Sequence, residues 1–395
     1  MLSPQYKNML STKSVIRELA EFAAARGAEI GYENVFDFSL GNPSVPVPRQ
    51  IDETIIALLN TKTSRELHGY SPSLGIQSVK ERIAANLNRR FGMDYGPGHI
   101  FMTAGATGAI AHAVRCVCAP GDEVLTFAPH FPEYMPYINL SGAQLTVVPA
   151  DMADFQINFD CLEEMLTEKV MAVLINTPTN PTGVVYTAAT LQRLAELLYK
   201  KQAAYGHDIF LISDEPYREI TFSGVECPYV SHFYDNTLSC YSYSKSLSLP
   251  GERIGYLAVN PAATDAGLIV PMSGQISRGI GHNCPASLIQ LAIAENLDVS
   301  VDMGIYETNM NILYDELRAL GFKVRKPDGT FYIFPQALEA DAAAFCKKAL
   351  DYDLIFVPSD SFGVPGHFRI AYCVETEKVK RSLPALRRFV NETYM

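Results

Sequence analysis

One lysine, Lys245, stands among serines in SCYSYSKSLSLPGERIGY, residues 239–256, just past an apolar, β-rich run and ahead of Pro-Gly and Arg253. An amine at the end of a buried strand is costly unless it is paired or chemically used. The plainer alternative is a strand end whose lysine reaches solvent. In SDEPY (213–217) the run IFLIS leads straight into Asp214 and Glu215, with Tyr217 two residues on. A carboxylate there needs a cationic or N–H partner. A protonated pyridine nitrogen is one such partner, and an ion pair to a nearby arginine is the other reading. TAGATGAI places Gly105, Ala106 and Thr107 where a strand gives way to a helix. Small residues let an anion approach the free N–H groups there, and the helix dipole favours phosphate; close helix–strand packing explains the same residues. No GK[ST] follows, so a nucleoside triphosphate is not favoured. NTPTNPTG (176–183) is a polar, proline-punctuated loop that also reads as a turn.

Together these segments make a constellation. A phosphate cradle, a buried carboxylate, a tyrosine and a lysine in an anion-binding pocket are what pyridoxal phosphate requires. The lysine forms the imine, and the carboxylate keeps the ring nitrogen protonated so that the ring acts as an electron sink. Lys245 is then also a base, its amine pKa lowered by neighbouring cations and partial burial.

The elements that must position these groups alternate along the middle of the chain. HIFMTAG, DEVLTFAP, AQLTVVPA, KVMAVLINTP, DIFLISDE, TLSCYSYS and IGYLAV read as strands. ATGAIAHAVRCVCA and TAATLQRLAELLYKKQAAYG read as helices, the second with leucines at helical spacing and Thr187 as its cap. Nearly continuous apolar strands alternating with helices predict an α/β fold, with a mostly parallel seven-stranded sheet sandwiched by helices. Ligands in such sheets bind beyond the strands' carboxyl ends, where each polar cluster falls. The flanks differ: SVIRELAEFAAARG is an amphipathic helix, LGNPSVPVP a turn, and the tail from about residue 300 mixes a long helix with GFKVRKPDGTFYIF and HFRIAYC. The expected division is an N-terminal arm and part of the small domain (1–48), a large cofactor domain (49–299) and a smaller α+β domain completed by the C-terminal part (300–395).

The 395 residues are 48% hydrophobic and 19% charged, ordinary for a globular chain. A net charge of −11 argues against nucleic acid and requires any anion site to carry local positive charge. The start, MLSPQYKNML, lacks a signal peptide's apolar core, and no run is long enough for a membrane helix. Eight scattered cysteines without CxxC pairs fit buried thiols in a reducing cytoplasm. The eight histidines show no ligand spacing, so no metal is expected.

The motifs GYSPSLG, TAGATGA, NTPTNPTG, SDEPY, SYSKSLSLPGERIGY and FRIAY, in that order, resemble a fold-type I, class I/II aminotransferase, and the resemblance covers nearly the whole chain. It implies that Lys245 is the Schiff-base lysine and Asp214 the pyridinium partner. Tyr217 and Asn180 bond the ring's phenolic oxygen, and Phe131 stacks on the ring. Ala106 and Thr107 offer N–H groups to the phosphate, and Ser242 and Arg253 offer side chains. Tyr70 reaches the phosphate of the neighbouring subunit, making the active unit a homodimer. Arg369 clamps the substrate α-carboxylate, with Asn180 and the backbone at Gly41 beside it.

For the substrate, the resemblance offers Arg278 in ISRGIGHNCPAS, placed like the arginine with which dicarboxylate-specific members reach across the dimer, with Asn283 at a matching offset. That favours aspartate as donor and 2-oxoglutarate as acceptor; a purely structural Arg278 is the other reading. Phe131 stands where that subgroup has tryptophan, which keeps aromatic or neutral donors open. A C–S β-lyase needs the same lysine. A cofactor-binding transcription regulator is a third class, but only about 40 residues precede the fold and the charge is acidic.

Overall fold

The computed structural model describes residues 2–10, 15–222 and 224–395; Ser14, the first residue of the N-terminal helix expected from sequence, lies outside them. That helix, α1, runs Val15–Ile30. Strand β1 (Ile100–Thr103) leads into α2 (Gly105–Val117), followed by β2 (Glu123–Phe127), the short α3 (Tyr134–Asn139), β3 (Gln144–Val148) and β4 (Val170–Asn176). Helix α4 (Ala188–Tyr205) has the expected start, the Thr187 side chain accepting from the Thr190 amide at 3.0 Å. After β5 (Phe210–Asp214) and β6 (Thr237–Ser242) comes the single turn α5 (Tyr243–Ser246), then β7 (Gly255–Val259) and α6 (Ala266–Ile280).

The seven strands form one sheet in the order β1-β7-β6-β5-β4-β2-β3. All neighbours are parallel except β7, which runs against both β1 and β6. Alternate side chains leave a strand on opposite faces, and both faces are covered. Leu174, Ile212 and Leu238 pack with Ile110 and Val114 of α2 and Ile269 of α6. Val173 and Leu211 pack with Leu191, Leu194 and Leu198 of α4. Apart from the edge strand β3, where only Val148 is fully buried, the apolar runs legible in the sequence are therefore strands without a wet face. Because β4, β5 and β6 share a direction, Asn176, Asp214 and Ser242 all end at one edge.

A second core holds Tyr306, Met310, Phe322, Phe331, Phe345, Phe368 and Phe389, with Phe38 and Val45 from the N-terminal stretch. It is built on α7 (Gly304–Ala319), a three-stranded antiparallel sheet and α8 (Thr376–Tyr394). That sheet has the order β9 (Val357–Pro358), β10 (Phe368–Ala371) and β8 (Tyr332–Ile333). Phe36–Asp37 pairs in parallel with Leu354–Ile355, tying the N-terminal segment to this unit. Among the described residues no helix is long and apolar enough to cross a membrane.

Candidate active site

Lys245 lies on the turn α5, just beyond β6, and not on the strand end itself. Its Nζ donates to the Gly41 carbonyl at 2.6 Å and sits 5.6 Å from the Phe331 ring centre. Burial pulls its pKa from 10.5 down to about 8, against the favourable pull of Cys373; Arg369 and Arg253 lower it further. No carboxylate among the described residues pairs with it.

Asp214, the last residue of β5, is buried. Its Oδ2 accepts from the Tyr134 hydroxyl at 2.5 Å, while Oδ1 has no partner among the described residues. Burial raises this carboxyl to about 7; the Tyr134 hydrogen bond lowers it, and neighbouring Glu215 raises it. The arginine ion pair that SDEPY suggested does exist, but Glu215 makes it. Glu215 accepts from Arg218 at 2.8 Å and from Ser239 at 3.0 Å. Asp214 is left with one oxygen for something else. Asn176 holds the Asp214 carbonyl at 2.9 Å, and its Oδ1 accepts from the Asn180 amide at 2.7 Å.

Arg369, on β10, is 2% exposed and has no carboxylate partner among the described residues. It donates to Asn180 Oδ1 at 3.0 Å and to the Ser39 carbonyl at 2.6 Å, under the Tyr332 ring at 4.5 Å, and its Nε is unpaired. The backbone beside it is thus Ser39, while Gly41 serves Lys245. A buried cation with no counter-charge calls for an anion. The Tyr217 hydroxyl meets that of Tyr332 at 3.1 Å.

A second anion position is formed where α2 begins. The first-turn amides of a helix lack intrahelical partners, and here they belong to Gly105, Ala106 and Thr107. Gly105 has φ +76°, and a Cβ there would meet Arg253 Nη2 at 3.0 Å and Ser242 Oγ at 3.4 Å. Gly255 lets β7 begin against it; a Cβ there would overlap the Tyr241 carbonyl and stand 2.9 Å from Gly105 Cα. Arg253 is aimed by bonds to the Pro250 carbonyl at 2.9 Å and the Ala104 carbonyl at 3.1 Å. Ser242 Oγ and Ser244 Oγ lie 2.8 Å apart.

These groups line one cavity of about 360 Å³. Of the residues chosen from sequence, Gly41, Ala106, Thr107, Phe131, Asn180, Asp214, Tyr217, Ser242, Lys245, Arg253 and Arg369 all line it. Tyr70 and Arg278 do not; both are exposed elsewhere on this chain. Sequence reasoning missed Tyr134, Tyr332, Asn176, Glu133 and Arg17. Asn176 stood inside a quoted motif and Tyr134 three residues after Phe131, so both had a local signal. Arg17 had none, because only the docking of α1 brings it to the cavity.

A solved amino transferase from Eubacterium rectale is 42% identical, with TM-score 0.97 over 100% of both chains. Aspartate aminotransferase of Thermotoga maritima is 29% identical over 367 residues, 91% of this chain and 92% of its own. Aromatic-amino-acid aminotransferase 2 of Thermococcus litoralis is 28% identical over 396 residues, 96% of each. Residues 33–386 match the family described as aminotransferase class I and II. The chain belongs to that family. As a class I and II aminotransferase it is a transaminase, with the mostly parallel α/β architecture its strands predicted.

Proposed function

We propose that this aminotransferase binds pyridoxal phosphate in the 360 Å³ cavity and moves the amino group of an L-amino acid, with aspartate preferred, to a 2-oxo acid such as 2-oxoglutarate. The observation that carries the reading is Asp214: a buried carboxylate with one oxygen fixed by Tyr134 and the other unpartnered, in one cavity with Lys245. A protonated pyridine nitrogen suits that oxygen. The glycine-lined start of α2, with Ser242 and Arg253, suits the phosphate. Bound there, pyridoxal phosphate supplies an aldehyde that takes up the amino group and a ring that accepts electron density when Cα loses its proton.

The chain's own residues do the rest. Arg369, whose charge no carboxylate among the described residues balances, takes the substrate α-carboxylate and fixes Cα relative to Lys245. Lys245 Nζ then carries the proton from Cα; a pKa near 8 leaves free amine near neutral pH. Tyr217 and Asn180 serve the ring's phenolic oxygen, and Phe131 covers the ring. Aspartate is supported by relatives named for it, such as those of Thermotoga maritima and Geobacillus stearothermophilus.

We read the active unit as a homodimer in which Tyr70 and Arg278 of each chain serve the other's cavity. Support comes from their exposure here and from the exposed Leu268, Met272 and Ile280 on the same helix as Arg278. The division at 1–48, 49–299 and 300–395 is supported by separate buried clusters, although Tyr217, Ile220 and Phe222 join the C-terminal one. A reducing compartment such as the cytoplasm is supported by the eight cysteines, all free.

The test follows the cofactor absorbance of purified protein mixed with aspartate, glutamate, alanine, phenylalanine or methionine. Spectral conversion with aspartate fastest, and loss of both turnover and the lysine-bound cofactor band in Lys245→Ala, is the expected result. An unchanged band in Lys245→Ala overturns the lysine's role. Pyruvate and ammonia from cystathionine without an oxo-acid acceptor points instead to a β-lyase.

A further inference from the structure

Besides Asp214, the cavity lining contains one other carboxylate, Glu133, and besides Lys245, Arg253 and Arg369 one other strong cation, Arg17. The three inner cations are each held by carbonyl or amide oxygens: Gly41 for Lys245, Pro250 and Ala104 for Arg253, Asn180 and Ser39 for Arg369. Arg17 has no hydrogen bond or ion pair with any described residue, and neither does the Glu133 side chain. The two reach the cavity from different parts of the chain. Glu133 precedes α3, next to Phe131. Arg17 is in the first turn of α1, and Ile16 beside it also lines the cavity.

Arg17 is exposed, but the helix that carries it is held in place. Arg26 on α1 donates to Asp353 at 2.8 Å, and Ala23 packs with Val35 and Ile355. Ile16 and Arg17 thus line the cavity from the start of a helix that is docked through Leu19, Ala23 and Arg26.

We propose that Arg17 supplies, from within the same subunit, a further contact to the distal carboxylate of a dicarboxylic donor that Arg278 of the other chain also serves, and that Glu133 opposes it, so that the Arg17–Glu133 pair tunes the balance between dicarboxylic and uncharged donors. The inference rests on the transaminase reading: with the α-carboxylate on Arg369 and Cα at Lys245, the donor side chain is what remains to meet the rest of the lining. Arg17 is the lining cation that no other role claims. For an uncharged donor, neither Arg17 nor Glu133 gains a charged partner. For aspartate or glutamate, the guanidinium gains a charge-assisted partner, and Glu133 adds a like charge that limits the gain.

The test separates binding from turnover. Succinate and butyrate, neither of which has an amino group to transfer, are titrated into the cofactor-loaded enzyme and followed by the cofactor band. Arg17→Gln is expected to weaken succinate about tenfold, the modest end of a charged hydrogen bond because the site is solvent-accessible. Butyrate stays unchanged, Glu133→Gln tightens succinate, and Arg17→Lys recovers part of the loss. In turnover, Arg17→Gln raises KM for aspartate and glutamate with little change in kcat and spares alanine. Equal loss for succinate and butyrate, or no loss for either, overturns the proposal. So does a full succinate loss in Arg278→Ala with none in Arg17→Gln, which would leave the partner's arginine as the reader. Wild-type enzyme that converts no amino donor sinks the transaminase reading itself. If it converts donors but binds succinate no better than butyrate, transamination stands and the role of Arg17 falls.

Discussion

Tyr134 shows how much depends on a residue that touches no reacting atom. Its hydroxyl donates to Asp214 Oδ2 at 2.5 Å, and that bond lowers the pKa of a carboxyl that burial lifts to about 7. Tyr134→Phe removes the donor and keeps the ring. Asp214 then titrates higher, is less ionised near neutral pH, and holds a protonated ring nitrogen less well. A hydrogen bond to a charged group contributes about 1.5–3 kcal/mol, so cofactor dissociation should strengthen roughly tenfold to a hundredfold. The pH below which cofactor is lost should move upward. Dialysis at stepped pH, with the absorbance band as readout, checks both; an unchanged dissociation constant and pH profile would leave Tyr134 a packing residue. At this scale the sequence was informative about Asp214 and Lys245, because a charged group abutting an apolar run is a local anomaly. It was uninformative about which carboxylate takes the arginine. Glu215 and Asp214 are adjacent and chemically alike, and only the folded chain, with Asp214 ending β5 and Glu215 just beyond it, sends one to Arg218 and the other to the cavity.

Elements convert these residues into a site through the shared edge of β4, β5 and β6 and through the start of α2. Strand positions were legible because strands covered on both faces must be apolar almost throughout. Helix ends were legible where a side chain caps them, as Thr187 does. The placement of α1 over the cavity was not legible, since it depends on a contact between residues more than three hundred positions apart, Arg26 and Asp353. The junction of β7 with α2 is a tight placement of this kind. A Cβ on Gly255 meets only backbone, the Tyr241 carbonyl and Gly105, so no side chain can rotate away. Gly255→Ala should cost about 1–3 kcal/mol, the usual penalty of overpacking, and should pull Gly105 out of register with Arg253 and Ser242. Thermal unfolding should show a lowered midpoint, and affinity for inorganic phosphate in cofactor-free protein should fall. Gly98→Ala, with nothing within 4 Å of the added carbon, is the control and should change neither. A Gly255→Ala protein as stable and as phosphate-competent as wild type would show that the glycine pair does not shape the anion site.

At the scale of the whole molecule, one chain encloses most of a site and leaves two of its expected members outside. Tyr70 is fully exposed, and Arg278 sits on a helix that presents Leu268, Met272 and Ile280 to solvent. Such apolar exposure is normal singly but, gathered on one helix, is the composition of an interaction surface, which suits the proposed dimer. No reading of one chain's periodicity distinguishes an exposed residue from one awaiting a partner, so only the family resemblance suggested the dimer. The proposal has a sharp consequence. In a two-fold dimer each contact is made twice, so both cavities borrow from the opposite chain. A subunit carrying Lys245→Ala has an intact Tyr70 and Arg278; one carrying Tyr70→Ala with Arg278→Ala has an intact Lys245. Each homodimer should be nearly inactive with aspartate. Unfolding and refolding an equal mixture makes half of the dimers hybrid, and in each hybrid one cavity is wild type in every part while the other lacks all three groups. Activity should therefore recover to about a quarter of wild type, with wild-type KM, as random two-fold pairing dictates. Were Tyr70 and Arg278 to serve their own subunit's cavity, every hybrid cavity would still carry one of the two defects, and mixing would recover nothing. The measurement needs the two variants, wild type refolded in the same way, size-exclusion chromatography to confirm dimers, and the aspartate assay.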